Sequence, residues 1–233
     1  MNKKYSYVGV SLVVLLFGIY VVRNLDRRVN ENDLIQEDRL HKVDKKNLKN
    51  STLFTYTKVP DFEFINQFGN TVNNTTFQNK VYVVEFFFST CPTICPIMNQ
   101  KMLSIQNEFK ENDNFGIASI TITPEIDTQE VLKNYADTNG ILHKNWHLLS
   151  GKPYEEVIEL SNKGFKLYVG KGTEEHGGFE HSGLFALVDK NGFIRSRKDE
   201  FGNPILYYRA LQEQTFPDQI PELKEDIKIL LNE

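Results

Sequence analysis

The chain has 233 residues, of which 40% are hydrophobic and 25% are charged, and its formal net charge is −4. This length suits one domain of ordinary size with accessory segments, and the composition is that of a globular protein rather than a disordered one. No run of Lys and Arg is long enough to form a basic patch, so we expect no binding to nucleic acid.

The first apolar segment predicts a membrane anchor. Lys3 and Lys4 precede an uncharged run at residues 5–22, and Arg23 follows it. Eighteen residues in a helix span roughly 27 Å, which is close to the ~30 Å hydrocarbon core of a bilayer. The run is longer than the apolar part of a cleaved signal peptide, and no small-residue cleavage site follows it. We therefore predict a cytoplasmic N-terminus at 1–4 and a transmembrane signal anchor at 5–22.

A polar tether is predicted after the anchor. Residues 23–50 are charged and polar with few apolar positions, so this segment cannot bury enough apolar surface to fold by itself. We interpret it as a spacer that holds a globular domain, residues 51–233, outside the cytoplasm and away from the membrane.

Predicted strands and helices alternate through the domain. The apolar, β-prone stretch Val81–Phe88 predicts a central strand, because a strand that is apolar on both faces belongs in a covered sheet. The other predicted elements are a hairpin arm at 61–66, a helix at 97–110, a strand at 115–122, helices at 127–137 and 153–162, a hairpin at 184–197 and a helix at 221–231. This order predicts an α/β sandwich with helices on both faces of a mixed sheet, and it is compatible with several α/β folds, the thioredoxin-like fold among them.

The two cysteines of the chain, Cys91 and Cys95, lie between the predicted strand at 81–88 and the helix that follows it. A helix N-terminus stabilises a thiolate, which is the form that attacks disulfides and ligates metals. A structural disulfide is a poor explanation, because a bridge around three residues closes too small a loop to contribute much stability. The pair therefore indicates redox or metal chemistry, and two soft thiolates suit copper(I), or zinc if more ligands join.

A metal site would need at least one further ligand, and histidine is the candidate type. His41 lies in the tether, and ordinary structural roles explain His143 and His147. His176 and His181 lie in a Gly-rich segment that leads into the predicted hairpin, so both are candidates on position alone.

The stretch STCPTICP at residues 89–96 resembles the Sco/SenC family, whose signature is C-P-x-x-C-P with a later histidine. The family histidine precedes an apolar strand and a D-x-x-G turn, which match His181, residues 184–188 and residues 189–192. Residues 123–128 resemble the D-P-x-x-D-T stretch of the family. Together these matches extend the resemblance over roughly residues 55–233.

The resemblance implies a thioredoxin-like three-layer sandwich that binds copper (Cu(I)/Cu(II)) through Cys91, Cys95 and His181. It implies a protein that delivers copper to the CuA site of cytochrome c oxidase and assists its assembly. The expected partners are the copper-bearing oxidase subunit or another copper chaperone, and the lipid membrane through the N-terminal helix. The expected location is the cytoplasmic (inner) membrane, single-pass, with the domain on the periplasmic side.

Two positions depart from the family pattern. Thr123 replaces a common Asp, which leaves the role of that position open, and Glu180 replaces Asp before the histidine, where an acidic side chain can orient a ligating imidazole. Neither departure removes a proposed ligand.

The same cysteines also support a thiol–disulfide oxidoreductase that reduces the cysteines of a copper-site protein, and the sequence leaves both functions open. In that case Cys91 is the attacking thiolate and Cys95 the resolving one, a catalytic redox pair. A thiol peroxidase fits poorly, since one residue instead of two separates Thr93 from Cys95.

Overall fold

The structure, a computed structural model, describes residues 11–23, 53–173, 177–212 and 216–233. The chain divides after residue 50 into two units, and each is described by itself. In the first unit, residues 11–23 form a helix, α1, with almost every side chain exposed. Over the described ranges, no helix combines the length and the apolar character that crossing a membrane requires. Residues 5–10 of the predicted anchor, and residues 24–50 of the predicted tether, lie outside the described residues.

The second unit is a mixed α/β domain. Its described strands are β1 Phe54–Lys58, β2 Glu63–Asn66, β3 Thr71–Asn73, β4 Val81–Phe87, β5 Phe115–Thr121, β6 Trp146–Ser150, β7 Val169–Lys171, β8 Phe179–His181, β9 Leu184–Val188, β10 Phe193–Ser196 and β11 Tyr208–Arg209. Its described helices are α2 Ile94–Phe109, α3 Gln129–Asn139, α4 Tyr154–Glu159 and α5 Ile220–Asn232, with a 3₁₀ turn at Asn74–Phe77 and a π turn at Leu160–Phe165.

The main sheet has the strand order β1-β10-β9-β4-β5-β6-β2-β3, and β11 pairs with β9. The three strands β4, β5 and β6 run parallel, while β9 is antiparallel to β4. Every residue of β4 and β5 is buried, as expected for central strands with covered faces. The predicted hairpin at 184–197 is confirmed, because β9 pairs with β10 around the turn at residues 189–192.

Helices cover both faces of this sheet. Successive residues of a strand point to opposite faces. Phe87 of β4 contacts Tyr135 of α3 with ring centroids 5.6 Å apart, whereas its neighbour Phe86 contacts Phe165 in the π turn after α4 at 5.8 Å. This three-layer, thioredoxin-like arrangement confirms the predicted fold class for the domain.

Helix α2 begins three residues earlier than predicted. The predicted helix starts at Ile97, whereas the observed helix starts at Ile94 and so includes Cys95 in its first turn. Pro96 fits inside this turn because the first N–H groups of a helix have no carbonyl partner to lose. The consequence is that one cysteine lies in the turn before the helix and the other lies within it.

The strands at 169–171 and 179–181 are not among the predicted elements. The sequence indicates only a Gly-rich segment at 175–183 before the predicted hairpin, whereas the structure has a two-stranded antiparallel sheet, β7 with β8, separate from the main sheet. His181 is the last residue of β8 and pairs with Val169. Three-residue strands carry too little periodicity to be recognised in a sequence, and their pairing depends on the neighbouring strand.

Candidate metal centre

The cysteines lie at the carboxyl end of β4. After Phe88 the chain makes a tight turn in which the Cys91 N–H donates to the Phe88 carbonyl at 3.2 Å. Thr93 precedes the first helical residue of α2, and its hydroxyl lies 3.7 Å from Cys91 Sγ. Both cysteines are buried, and neither forms a disulfide. The turn and the helix start therefore present two sulfurs on the same side of the strand end.

His181 reaches this position from the β7–β8 hairpin. Its Nε2 lies 3.1 Å from Cys95 Sγ, and its Nδ1 lies 3.3 Å from the Ser182 carbonyl oxygen. A carbonyl oxygen can only accept a hydrogen bond, so Nδ1 carries a hydrogen. Nε2 is the ring nitrogen that faces the sulfurs, and it can bind a metal ion when it carries no hydrogen.

An aromatic side chain holds the histidine ring in this orientation. Phe88 packs edge-on against His181 with centroids 5.9 Å apart, and it contacts Phe179 of β8 at 5.8 Å. Gly177 approaches Phe88 so closely that a Cβ at this position would lie 2.9 Å from Phe88 Cε2. The hairpin that carries the histidine is therefore packed directly on the residue that begins the cysteine turn.

One sulfur from each cysteine and one ring nitrogen of His181 lie within 4.8 Å of one another, close enough to hold a metal ion. Two thiolates and an imidazole form a soft donor set, which suits copper(I). The structure thus brings together the three side chains that the resemblance to Sco/SenC proteins implies.

A family model described as SCO1/SenC matches residues 50–215 of this sequence. The chain belongs to the SCO1/SenC family.

Individual relatives agree with this assignment. The SCO1 protein homolog of Bacillus subtilis (strain 168) is 31% identical over 168 residues, which cover 72% of this chain and 81% of that protein. The structure of BsSco, described as a member of the Sco family of cytochrome c oxidase assembly proteins, has 27% identity and a TM-score of 0.62, covering 76% of this chain and 95% of that one. ScoI of Bradyrhizobium japonicum with copper bound is 20% identical, with a TM-score of 0.58 over 75% of this chain and 100% of that one, and supports the fold.

The two thiols of this SCO1/SenC domain differ in acidity. A hydrogen bond from the Cys95 side chain lowers the pKa of Cys91 to about 3, a shift that burial opposes and a hydrogen bond with His181 assists. The same contact with Cys91, together with burial, raises the pKa of Cys95 well above its usual range. One proton is therefore shared by the pair, and Cys91 carries the thiolate.

A buried acid on β4 lies behind the site. Glu85 is 4% exposed and accepts a hydrogen bond of 2.6 Å from Ser119, whose hydroxyl accepts one of 2.9 Å from Trp146. Burial raises the pKa of Glu85 to about 7, although the hydrogen bond from Ser119 and the charge of His181 oppose the shift. Sequence reasoning missed this residue; its only signal is a single charge within the otherwise apolar stretch 81–88.

A second buried acid, Asp127, lies beside the cysteine turn. From the sequence, Asp127 and Thr128 are both candidate N-caps of α3, and Thr128 is the one that caps the helix, by accepting from the Val131 N–H. Asp127 is instead fully buried and accepts hydrogen bonds from Ser89 and from Thr123, the position where the family commonly has Asp. Thr123 is thus a hydrogen-bond donor in this chain.

The remaining histidines of the described chain lie elsewhere. His143 Nε2 lies 3.2 Å from the Phe109 carbonyl oxygen, and His147 Nδ1 lies 3.1 Å from the side-chain nitrogen of Asn66. His41 and His176 lie outside the described residues. Glu180, before His181, has an exposed side chain.

Proposed function

We propose that this SCO1/SenC protein binds one copper ion through Cys91, Cys95 and His181. The observation that carries the proposal is the clustering of the three donor atoms within 4.8 Å. The donor set is appropriate, because thiolate and imidazole are the ligand types that copper prefers. The lowered pKa of Cys91 supports it further, since a thiolate needs no deprotonation before it binds metal.

Copper delivery to the CuA site of cytochrome c oxidase, during assembly of that enzyme, is the role that we propose for the bound metal. The support comes from two relatives: BsSco is described as a member of a family of cytochrome c oxidase assembly proteins, and the Bradyrhizobium japonicum ScoI structure contains copper. The partner would be the copper-bearing oxidase subunit or another copper chaperone, and copper is the cargo.

We also propose that the N-terminal segment holds the protein in the cytoplasmic membrane, with the domain on the periplasmic side. The uncharged run at 5–22 supports this, as does the helical conformation of residues 11–23. Extraction of membranes at alkaline pH provides the test. The full chain should stay with the membrane pellet, whereas a chain without residues 1–22 should be released; release of both would contradict the proposal.

The decisive experiment measures copper bound by the full chain, reduced, purified anaerobically in detergent, and dialysed against a copper(I) chelator. We expect one copper per chain in the wild type. His181→Ala should lower the affinity at least about tenfold, and Cys91→Ser or Cys95→Ser should abolish retention. Thr93→Ala is the matched control, because it changes an exposed side chain beside Cys91 without removing a ligand. Equal affinity in His181→Ala and wild type would overturn the three-ligand site.

A thiol–disulfide exchange activity is the alternative function, and the unequal acidity of Cys91 and Cys95 favours it. Cys91 would attack a disulfide of the partner and form a mixed disulfide, and Cys95 would then displace the partner thiol. Two electrons and the Cys95 proton pass to the partner, the second proton comes from water, and the Cys91–Cys95 disulfide is the oxidised product. Rapid turnover with insulin and dithiothreitol, together with no copper retained by the reduced wild type, would favour this function over copper delivery.

A further inference from the structure

A fully buried carboxylate connects the cysteine turn to the neighbouring strand. Asp127 lies between β5 and α3, and its side chain has 0% exposure. Its Oδ2 accepts from the Ser89 N–H at 3.1 Å, and its Oδ1 accepts from the Ser89 hydroxyl. On the other side, the Thr121 hydroxyl and the Thr123 hydroxyl, the latter at 3.0 Å, donate to Oδ2.

Ser89 is the point at which the cysteine turn leaves the sheet. The backbone ladder between β4 and β5 ends with the Ile122 N–H donating to the Phe87 carbonyl at 2.9 Å. Beyond it, both the N–H and the hydroxyl of Ser89 donate to Asp127, two residues before Cys91. The carboxylate thus continues the connection between the two strands after the ladder has ended.

The donors around Asp127 are an N–H group and three hydroxyls, and no cation is among the partners that the structure shows. Such a buried carboxylate keeps its position only while the donors stay in place, because each lost hydrogen bond leaves a buried acceptor unsatisfied. The geometry of the Ser89 turn and the position of the carboxylate are therefore mutually dependent, and the Ser89 turn leads directly into Cys91.

We infer that Asp127 is a positioning residue, which acts through Ser89 to set where Cys91 lies relative to Cys95 and His181. The copper-affinity part of its test rests on the proposed function, because it requires that the protein bind copper. A change that releases Ser89 should therefore alter the properties of the thiol pair by more than the loss of stability explains.

The test uses the full chain with Asp127→Asn, Ser89→Ala, the double variant and Thr128→Ala. Thr128→Ala is the matched control: it removes the N-cap of α3 next to Asp127, a loss of about 1 kcal/mol, without touching the Ser89 turn. Three quantities are measured: the melting temperature, the copper(I) affinity, and the reduction potential of the copper-free Cys91–Cys95 pair in glutathione buffers. In those buffers the reduced pair gives two electrons and the Cys95 proton to glutathione disulfide, and the buffer supplies the second proton.

Asp127→Asn should weaken copper binding about tenfold and shift the equilibrium constant with glutathione, whereas Thr128→Ala should lower the melting temperature alone. Ser89→Ala should act in the same direction, and the double variant should add little to Asp127→Asn, because both changes remove the same connection. If Asp127→Asn lowers only the melting temperature, with affinity and redox equilibrium unchanged, the inference is wrong.

Two outcomes remain distinct. A wild-type protein that binds no copper refutes the proposed function, while the glutathione equilibrium still decides the role of Asp127. If Asp127→Asn does not fold, Ser89→Ala decides: a redox equilibrium equal to wild type in that variant overturns the inference.

Discussion

Cys95 Sγ lies 3.1 Å from His181 Nε2, although 86 positions separate the two residues in the sequence. The cysteine is fixed by the first turn of α2, while the histidine belongs to the β7–β8 hairpin, which is not part of the main sheet. The site is therefore completed by the packing of one small hairpin on the end of β4. Substitutions that disturb this packing should affect the site even where they touch none of the three proposed ligands.

Gly177 provides a direct test of this dependence. Its φ is +78°, and an added Cβ would lie 2.9 Å from Phe88 Cε2 and 3.4 Å from Pro92 Cδ. Phe88 in turn contacts His181, so Gly177→Ala should displace the ring that orients the histidine. We expect a loss of copper affinity of about tenfold, the equivalent of 1.4 kcal/mol, measured by competition with a copper(I) chelator.

Gly178 is the matched control. Its φ is +83°, so alanine meets the same unfavourable backbone conformation, but no atom lies within 4 Å of its added Cβ. Gly178→Ala should therefore lower the unfolding free energy by about as much as the backbone strain in Gly177→Ala does, and it should retain the wild-type copper affinity. Equal affinities in the two variants would show that the contact with Phe88 does not orient the histidine.

The unequal acidity of the thiols predicts selective alkylation. Because Cys91 has a pKa of about 3 and the pKa of Cys95 is raised, reduced protein between pH 5 and pH 8 carries a thiolate on Cys91 and a thiol on Cys95. Only the thiolate reacts with iodoacetamide. We expect peptide mapping to find the label on Cys91, at a rate that changes little across this pH range.

The control for alkylation is the same protein unfolded in guanidinium chloride. There both cysteines should react alike, and the labelling rate should increase as the pH rises toward the ordinary thiol pKa of about 8.5. His181→Ala should slow the labelling of Cys91 at pH 5, since it removes a hydrogen bond that lowers the Cys91 pKa. Equal labelling of both cysteines in the folded protein would contradict the assignment of the thiolate to Cys91.

The local part of the site could be predicted from the sequence, and the tertiary part could not. An apolar strand, a turn with two cysteines and a helix follow one another directly, so their order fixes where Cys91 and Cys95 lie. For the histidine, position alone left His176 and His181 equal, and the resemblance to Sco/SenC proteins chose His181. A strand of three residues such as β8 is too short to give a periodic signal in the sequence. It forms a strand because it pairs with β7.

The buried acids show the same limit. Glu85 has no neighbour in the sequence that indicates a function, since Ser119 and Trp146 approach it from other strands. Asp127 precedes a helix, where an acidic residue commonly serves as an N-cap, and local propensity cannot distinguish that role from contact with Ser89. The contacts of Glu85 with Ser119 and of Asp127 with Ser89 join residues that are far apart in the chain, so only the folded structure shows them.

An ion pair between Asp226 of α5 and Arg197, the residue that follows β10, should contribute to the stability of the domain. Asp226 is 1% exposed and accepts two hydrogen bonds of 2.9 Å from Arg197 and one of 2.6 Å from the Tyr208 hydroxyl. Asp226→Ala should lower the unfolding free energy by about 3 kcal/mol, at the lower end of the range for broken buried pairs because Arg197 is 29% exposed. Urea unfolding measures this change.

Glu225 is the natural comparison for Asp226. It pairs with the same arginine at 2.9 Å, but its side chain is 67% exposed. Glu225→Ala should therefore change the unfolding free energy by less than about 1 kcal/mol. If both variants lose the same stability, burial does not determine the strength of the Arg197 interactions.

The raised pKa of Glu85 makes the stability of the domain depend on pH. Between the ordinary glutamate pKa of 4.5 and the folded value of about 7, the folded state holds a proton that the unfolded state has released. Stability from this group is therefore complete below pH 4.5 and is lost as the pH rises through 7. Glu85→Gln keeps an acceptor for the Ser119 hydroxyl but cannot ionise, so it should remove this part of the pH dependence.

The comparison is made by urea unfolding of the copper-free, reduced domain in the full chain at pH 5 and pH 8. At pH 5 the wild type and Glu85→Gln should have similar unfolding free energies, because a protonated carboxyl and an amide are both neutral. At pH 8 the variant should be more stable by on the order of 3 kcal/mol. Glu125→Gln, which removes an exposed carboxylate, controls for the change in net charge. A constant difference between wild type and Glu85→Gln at both pH values would mean that Glu85 ionises at the same pH in the folded and unfolded states, and that burial on β4 does not hold its proton.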